Sequence, residues 1–320
     1  DGDGVLDLED AFPLNPTYSS TANGFVIDGY ISGAVVFLDQ NFNLTRDPEE
    51  PYAETDSSGF FELHLNRAQQ SCLPYAPLVA DIPAGAVDSD LGPILEPFQM
   101  VLPPLYDSAD FKSLNVTPLT SAIWSEIAKL IERDVFFGAN CENASGESVL
   151  AEQIAEAQDA AIANTVAHYN ISANKIYSDF VRDEDAESQL AASEIVDGLK
   201  KTFSETKALQ KQYPGADWAY VTYYKFSNQD GGEQYPDAWY REIDYKVDNY
   251  GLYKLTKVSE DLTEPKRLIN LYERSFGVLE LNEETIDLQR IVQVHSQGGD
   301  ESPYRCEASE EANHRTADAE

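Results

Sequence analysis

The spacing of apolar residues changes twice along this chain of 320 residues, and these two changes limit the folds that the chain can adopt. Residues 24–105 and 218–296 contain short β-branched or alternating apolar stretches separated by Gly, Pro, Asn and Asp. Such stretches are typical of antiparallel strands joined by turns. Residues 116–212 instead carry apolar residues at every third or fourth position, which is typical of helices packed together. The sequence therefore predicts a multidomain α+β protein in which strands flank a group of helices.

This pattern predicts five consecutive segments. The central three are an antiparallel β-sandwich at residues 21–110, a helical bundle at 111–213 and an antiparallel β-rich domain at 214–298. An acidic loop, residues 1–20, precedes them, and an acidic tail, residues 299–320, follows them and is expected to be loosely held.

The charge balance excludes two classes of partner. Asp and Glu number 57 against 22 Lys and Arg, which gives a formal net charge of −35. Such a chain repels nucleic-acid phosphates and anionic membrane surfaces, and it attracts divalent cations. Its hydrophobic content of 42% is high enough to fill folded cores, so intrinsic disorder is not expected. The sequence has no run of about 18 apolar residues, and we therefore expect no membrane span.

Residues 39–50, DQNFNLTRDPEE, carry oxygen-bearing side chains at the spacing of a calcium-binding loop. In such a loop the ligands stand at positions 1, 3, 5, 7, 9 and 12, and position 7 contributes a backbone carbonyl. Leu44 occupies position 6, where Gly would turn more easily. The alternative is a hairpin turn rich in Asn and Asp that binds no metal. The expected ligands are Asp39, Asn41, Asn43, the carbonyl of Thr45, Asp47 and Glu50.

The first ten residues, DGDGVLDLED, have the same spacing when Gly4 is placed at position 6. The ligand at position 1 would then lie two residues before Asp1, so we expect the chain to be part of a longer polypeptide. The remaining calcium ligands of this loop would be Asp1, Asp3, the carbonyl of Val5, Asp7 and Asp10.

Both acidic segments resemble parts of known families. Residues 1–16 resemble a bacterial thrombospondin type 3 repeat, in which Asp-x-Phe-Pro-x-x-Pro continues the calcium loop; here those residues are Asp10, Phe12, Pro13 and Pro16. Residues 27–63 resemble the calcium-bearing Cna B-type, or serine-aspartate-repeat B-type, surface domains. The matching positions are Asp39, Asn41, Asn43, Asp47, Glu50 and Pro51, followed by Thr55, Asp56, Gly59 and Phe61 in the next hairpin.

The resemblance covers roughly residues 1–105. It implies a prealbumin-like sandwich that serves as a spacer or stalk module. It also implies that the protein is secreted or displayed on a bacterial cell surface.

Three cysteines occur, Cys72, Cys141 and Cys306, and their spacing matches no zinc or redox motif. Cys72 and Cys141 lie in loop-like contexts, so we expect a disulfide between them in an oxidising compartment. Reduced thiols are the alternative. The odd count leaves Cys306 as a thiol if that bridge forms.

The segment from Trp218 to Tyr253 is rich in tyrosine, and its "DNYG" sequence predicts a hairpin turn between two strands. Alternation along residues 239–247 predicts a buried set and an exposed set. The buried set is Trp239, Ile243, Tyr245 and Val247, and the exposed set is Tyr240, Glu242, Asp244 and Lys246. We expect Tyr240, Tyr250 and Tyr253 near an exposed face that contacts a glycan, another surface protein or a second copy of the chain. The alternative is that tyrosine is abundant because it favours strands.

Signature motifs of serine hydrolases, zinc proteases and nucleotide-binding enzymes are missing from the sequence. We therefore expect a non-enzymatic, calcium-braced extracellular protein that acts in adhesion or assembly. A secreted carbohydrate-binding protein, or an accessory to a carbohydrate-active hydrolase, is the alternative.

Overall fold

The computed structural model describes most of the chain, and every structural statement below concerns that part. It comprises Leu8 and residues 10–105, 114–131, 138–145, 148–225, 239–248, 250–258, 262, 265–281, 284–296 and 304–315.

The chain divides into two compact units, residues 1–200 and 201–320. It contains both helices and strands, is rich in β-structure and has several antiparallel sheets. The prediction of an α+β protein is confirmed to that extent. The division falls within a helix, whereas the sequence placed domain boundaries at residues 110/111 and 213/214.

Nine short strands of the first unit are described, and they form three antiparallel sheets. They are β1 Ser20–Phe25, β2 Ile31–Ser32, β3 Val35–Leu38, β4 Tyr52–Glu54, β5 Phe60–Leu65, β6 Leu78–Ile82, β7 Val87–Asp88, β8 Gly92–Pro93 and β9 Phe98–Leu102. β1 pairs with β5, β7 lies between β2 and β8, and the largest sheet has the order β4-β3-β6-β9. Its two central strands are almost wholly buried, because both of their faces carry apolar side chains.

Five helices are seen in the described ranges. They are α1 Arg67–Cys72, α2 Pro118–Leu130, α3 Val149–Tyr169, α4 Ala173–Ile176 and α5 Ala186–Gln212. α2 begins at Pro118, directly after its N-cap residue Thr117. The hydroxyl of Thr117 accepts from the backbone of Thr120 at 3.1 Å, and that of Thr120 accepts from the backbone of Thr117 at 3.0 Å. This reciprocal cap satisfies two N–H groups at the helix start.

Gly24 allows the chain before α2 to lie against β1. Val116 donates to the carbonyl of Phe25 at 2.9 Å, and Leu114 donates to that of Asn23 at 3.0 Å. A Cβ atom at residue 24 would stand only 2.0 Å from the carbonyl oxygen of Leu114, so only glycine fits there.

The described strands of the second unit form one antiparallel sheet of six in sequence order. They are β10 Trp218–Tyr224, β11 Trp239–Val247, β12 Tyr250–Val258, β13 Pro265–Leu281, β14 Glu284–Ser296 and β15 Tyr304–Arg315. Val247 pairs with Tyr250, so the predicted hairpin is present. The prediction of a loose tail is wrong over β15, which is fully paired with β14 from Ser296↔Tyr304 to Thr285↔Arg315.

The C-terminal half of α5 lies on one face of this sheet. Leu209 packs on a cluster of buried apolar side chains from β10, β11 and β12. Thr206 joins the helix to β10, because its hydroxyl donates to the carbonyl of Val221 and accepts from the N–H of the same residue, both at 2.9 Å. Within the described ranges, none of the helices has the length and apolarity that a bilayer crossing demands.

Candidate metal loop and tyrosine face

Residues 39–51 join β3 to β4, and the ends of this loop are held by backbone hydrogen bonds. The N–H of Asp39 donates to the carbonyl of Pro77 at 3.0 Å, and that of Leu38 donates to the carbonyl of Pro51 at 3.2 Å. The loop therefore leaves and re-enters the four-stranded sheet of the first unit at fixed points.

Asp39 is fully buried and organises the first half of the loop. Its Oδ2 accepts the N–H of Leu44 at 2.8 Å and its Oδ1 accepts that of Asn43 at 3.2 Å. The side chain of Asn43 repeats this arrangement, since its Oδ1 accepts the N–H of Thr45 at 2.7 Å. These bonds curl the backbone around the side chains at the first and third expected ligand positions.

The second half of the loop closes on the same region. Oδ2 of Asp47 accepts from Nδ2 of Asn41 at 2.7 Å and from Nδ2 of Asn43 at 3.0 Å. Glu50 is buried, and its two oxygens accept the N–H groups of Gln40 at 2.7 Å and of Asp47 at 2.9 Å. Three of the predicted ligand side chains thus meet at one point, and Glu50 closes the loop behind them.

Leu44 occupies the left-handed region with φ of 56°, where the sequence expected a glycine. A non-glycine residue in that conformation costs about 1 kcal/mol. Two neighbours hold the turn. Gln99 donates from Nε2 to the carbonyl of Leu44 at 2.9 Å, and the buried Phe42 packs on Trp124 with ring centroids 5.9 Å apart.

The pKa values of both buried carboxylates of the loop are raised. Burial raises the pKa of Asp39 to about 7, and the charge of Glu50 adds to this, while hydrogen bonds from Leu44 and Asn43 oppose it. Burial also raises the pKa of Glu50. A bound divalent cation would favour the ionised form of both groups.

The donor set of the loop matches calcium in kind, because it offers carboxylate, amide and carbonyl oxygens and neither thiolate nor imidazole. In the part of the chain that the structure describes, no three His, Cys, Asp or Glu side chains are grouped as a metal site. A cation between Asp39 and Glu50 would therefore depend on Asn41, Asn43 and the carbonyl of Thr45 as well. It would also compete with both amides for Asp47.

Most of the N-terminal acidic loop lies outside the described residues, including the expected ligands Asp1, Asp3, Val5 and Asp7. Asp10 is buried, and its Oδ1 accepts the N–H of Phe12 at 2.7 Å. Its Oδ2 has no hydrogen-bond partner among the described residues. Phe12 packs on the ring of His64 in β5 with centroids 4.7 Å apart, which fixes this segment against the first unit.

Cys72 and Cys141, the pair proposed from sequence, are joined by a disulfide, and their Cα atoms are 5.4 Å apart. Cys72 ends α1 and is buried. Cys306 is a free, exposed thiol on β15.

The prediction that Tyr240 lies near an exposed binding face is wrong. Tyr240 is 0% exposed, and its ring stacks on that of Tyr224 with centroids 5.8 Å apart. Tyr253 packs against the same cluster. Tyr250 instead lies beside Tyr245, with centroids 5.9 Å apart, on the other face of β12, because residues 250 and 253 differ by an odd number. The three tyrosines therefore do not share one surface.

The exposed and buried sets predicted for β11 are also wrong except at Trp239, which is buried as predicted. Tyr240, Glu242 and Asp244 are buried, whereas Ile243 and Tyr245 are only half-buried. The sequence assigned the charged residues to solvent, but Asp244 accepts a hydrogen bond from Nε1 of Trp218 at 2.6 Å. A hydrogen-bonded carboxylate can be buried at far lower cost than a free one, so charge alone does not identify the exposed face.

The residues that brace the metal loop were not identified from sequence. Gln99, Phe42 and Gln69 act through contacts with residues distant in the chain or through the backbone, and no local pattern marks them. Compared with models of protein families, with curated proteins and with solved structures, the chain has no match.

Proposed function

We propose that this protein is a non-enzymatic extracellular module, secreted or displayed on a bacterial cell surface, whose N-terminal β-sandwich is braced by calcium at residues 39–50. In this proposal the sandwich and the helices after it present the module for adhesion or assembly. A glycan, another surface protein or a second copy is the expected partner.

The convergence of Asn41 and Asn43 on Asp47, within a loop whose ends carry the buried Asp39 and Glu50, is the observation that supports calcium. Buried carboxylates with raised pKa values destabilise a fold unless they are neutralised. A divalent cation removes that penalty, and hard oxygen donors favour calcium. The loop would then add stability to the first unit only when the ion is present.

The disulfide between Cys72 and Cys141 supports an extracellular location, because such bonds persist in oxidising compartments. The excess of acidic residues also suits a protein that must remain soluble outside the cell. The resemblance of residues 1–63 to calcium-bearing surface modules agrees with both points.

Thermal unfolding in calcium and in chelator tests the proposal. Free calcium at about 100 times its Kd is expected to stabilise the first unit by about 2.7 kcal/mol. Glu50→Gln should abolish most of this difference, since an amide cannot bind calcium through two charged oxygens. Glu49→Gln is the matched control, because Glu49 is the exposed neighbour and its backbone carbonyl, not its carboxylate, is hydrogen-bonded.

The proposal predicts equal calcium responses for the native protein and for Glu49→Gln. An unfolding temperature that is the same in calcium and in chelator would contradict it. So would a calcium response that Glu50→Gln leaves intact.

A further inference from the structure

The backbone of Gln40 connects the disulfide-bonded segment to the candidate metal loop at residues 39–50. Its carbonyl accepts the N–H of Cys141 at 2.8 Å, and its own N–H donates to Oε1 of Glu50 at 2.7 Å. Gln40 follows Asp39 directly, so the backbone of one residue contacts both the disulfide-bonded segment and the last expected ligand of the loop.

The other cysteine reaches the loop through α1. Gln69, one turn before Cys72, donates from Nε2 to the carbonyl of Glu49 at 3.2 Å. The chain that leaves Cys72 turns back, with the N–H of Tyr75 donating to the carbonyl of Cys72 at 2.8 Å. The carbonyl of Pro77 then accepts the N–H of Asp39. The segments on both sides of the disulfide therefore hold the ends of the loop.

The segment that carries Cys141 has a compact local structure. Asn140 and Asn143 bond reciprocally, each accepting the N–H of the other on its side-chain oxygen, at 2.8 and 2.9 Å. Ala139 and Ala144 are buried. The disulfide links this turn covalently to α1. In this position the turn donates a hydrogen bond from the N–H of Cys141 to the carbonyl of Gln40.

We infer that the Cys72–Cys141 disulfide sets the cation affinity of the loop at residues 39–50, so that reduction of the bond weakens calcium binding. This inference rests on the proposed function. A dithiol reductant supplies the two electrons and two protons, the Sγ–Sγ bond breaks to give two thiols, and the reductant closes to its own disulfide. The turn then loses its tether, and the hydrogen bond that positions Gln40 is weakened.

The coupling must act in both directions. If the disulfide increases calcium affinity by some factor, bound calcium must favour the oxidised form by the same factor. Coupling between two sites is commonly about 5- to 150-fold, and we expect about 10-fold here because the backbone of a single residue, Gln40, carries the direct link.

The experiment uses the full chain with Cys306→Ser, which removes exchange with the exposed thiol. Calcium affinity is measured by titration calorimetry for the oxidised protein and for Cys72→Ser/Cys141→Ser in the same background. The expected result is about a 10-fold weaker Kd for the double variant. In a redox titration with dithiothreitol, calcium should make reduction of the disulfide less favourable by a matching factor.

Hydrogen exchange separates a local effect from general loss of structure. Reduction in the absence of calcium should speed exchange at the amides of Gln40, Asn43 and Leu44, while the amides of β5 remain protected. Uniform loss of protection across the first unit would overturn the inference, because the disulfide would then stabilise the whole unit.

Two further outcomes distinguish a failure of the proposed function from a failure of this inference alone. Oxidised protein that binds no calcium contradicts the proposed function and, with it, this inference. Equal calcium affinity in the oxidised protein and the double variant contradicts the inference alone.

Discussion

Arg241 on β11 donates from Nε to Oε2 of Glu205 on α5 at 2.7 Å, and this half-buried ion pair joins a helix to the sheet of the second unit. The other carboxylate oxygen accepts from the hydroxyl of Tyr223 on β10 at 2.7 Å. Both carboxylate oxygens of Glu205 thus accept hydrogen bonds. An ion pair with this geometry stabilises a fold, whereas most exposed ion pairs contribute little.

A double-mutant cycle measures this contribution. Glu205→Gln and Arg241→Gln should each destabilise the second unit, and the double variant should cost less than the sum of the two. We expect a coupling of about 1–2 kcal/mol from urea unfolding, because the two groups are only partly exposed. Additive effects would show that the pair contributes nothing beyond its separate contacts.

The left-handed conformation of Leu44 gives a second prediction. Leu44→Gly should be more stable than Leu44→Ala by about 1 kcal/mol, since alanine retains the backbone strain and glycine relieves it. Both variants lose the leucine side chain, so the comparison isolates the backbone term. Equal urea midpoints would indicate that the turn changes shape when the side chain is shortened.

Asp28 makes the stability of the folded chain depend on pH in a direction that can be predicted. Burial, together with the carboxylates of Asp88, Asp90 and Asp197 and against the opposing charge of Lys200, raises the pKa of Asp28 to about 7. In the unfolded chain this group has an ordinary pKa of 3.8. Between these values the folded state holds a proton that the unfolded state releases, so stability from this group falls as pH rises from about 4 to about 7.

Asp28→Asn should therefore raise the unfolding temperature at pH 8 and leave it nearly unchanged at pH 4. Asp56→Asn is the control of opposite sign, because hydrogen bonds from Ser58 and Phe60 lower the pKa of Asp56. That change should lower the unfolding temperature at neutral pH. A stability difference for Asp28→Asn that does not vary with pH would contradict the expected titration.

Tyr240 provides a prediction that separates a structural from a surface tyrosine. Tyr240→Ala should destabilise the second unit by about 3 kcal/mol or more, because it opens a cavity beside Tyr224 and Leu255. Tyr250→Ala should cost much less, since Tyr250 is half-buried at the end of a hairpin. Similar urea midpoints for the two variants would show that burial does not distinguish them.

Local signals in the sequence predicted local structure well. Thr117 and Pro118 mark the start of α2, and Asp248 begins the turn between β11 and β12, with φ of 51°. In each case the information lies within a few neighbouring residues. The spacing of Asp39 to Glu50 predicted a calcium loop, with a turn rich in Asn and Asp as the alternative, and calcium binding there stays a prediction. The side-chain to backbone hydrogen bonds in the first half of this loop span at most five residues.

Features set by packing were less predictable. Helical spacing places Leu190, Ile195 and Leu199 on one stripe of α5, but only Ile195 and Leu199 are buried, and Leu190 is exposed. The small Ala192 is buried instead, and an alanine gives little periodic signal in a sequence. The burial of Glu242 followed no local rule either, since its partner Tyr224 lies on the preceding strand, 18 residues away.

The Cys72–Cys141 bond spans a sequence separation of 69 residues and closes the intervening chain into a covalent ring. A protease that cleaves this ring once releases nothing, because both new ends remain attached through the two sulfur atoms. Detachment of the upstream residues from the rest of the chain by cleavage in this region therefore requires a second event, the reduction of the bond. With the bridge intact, a chain cut once between these two cysteines still transmits tension along an unbroken covalent path.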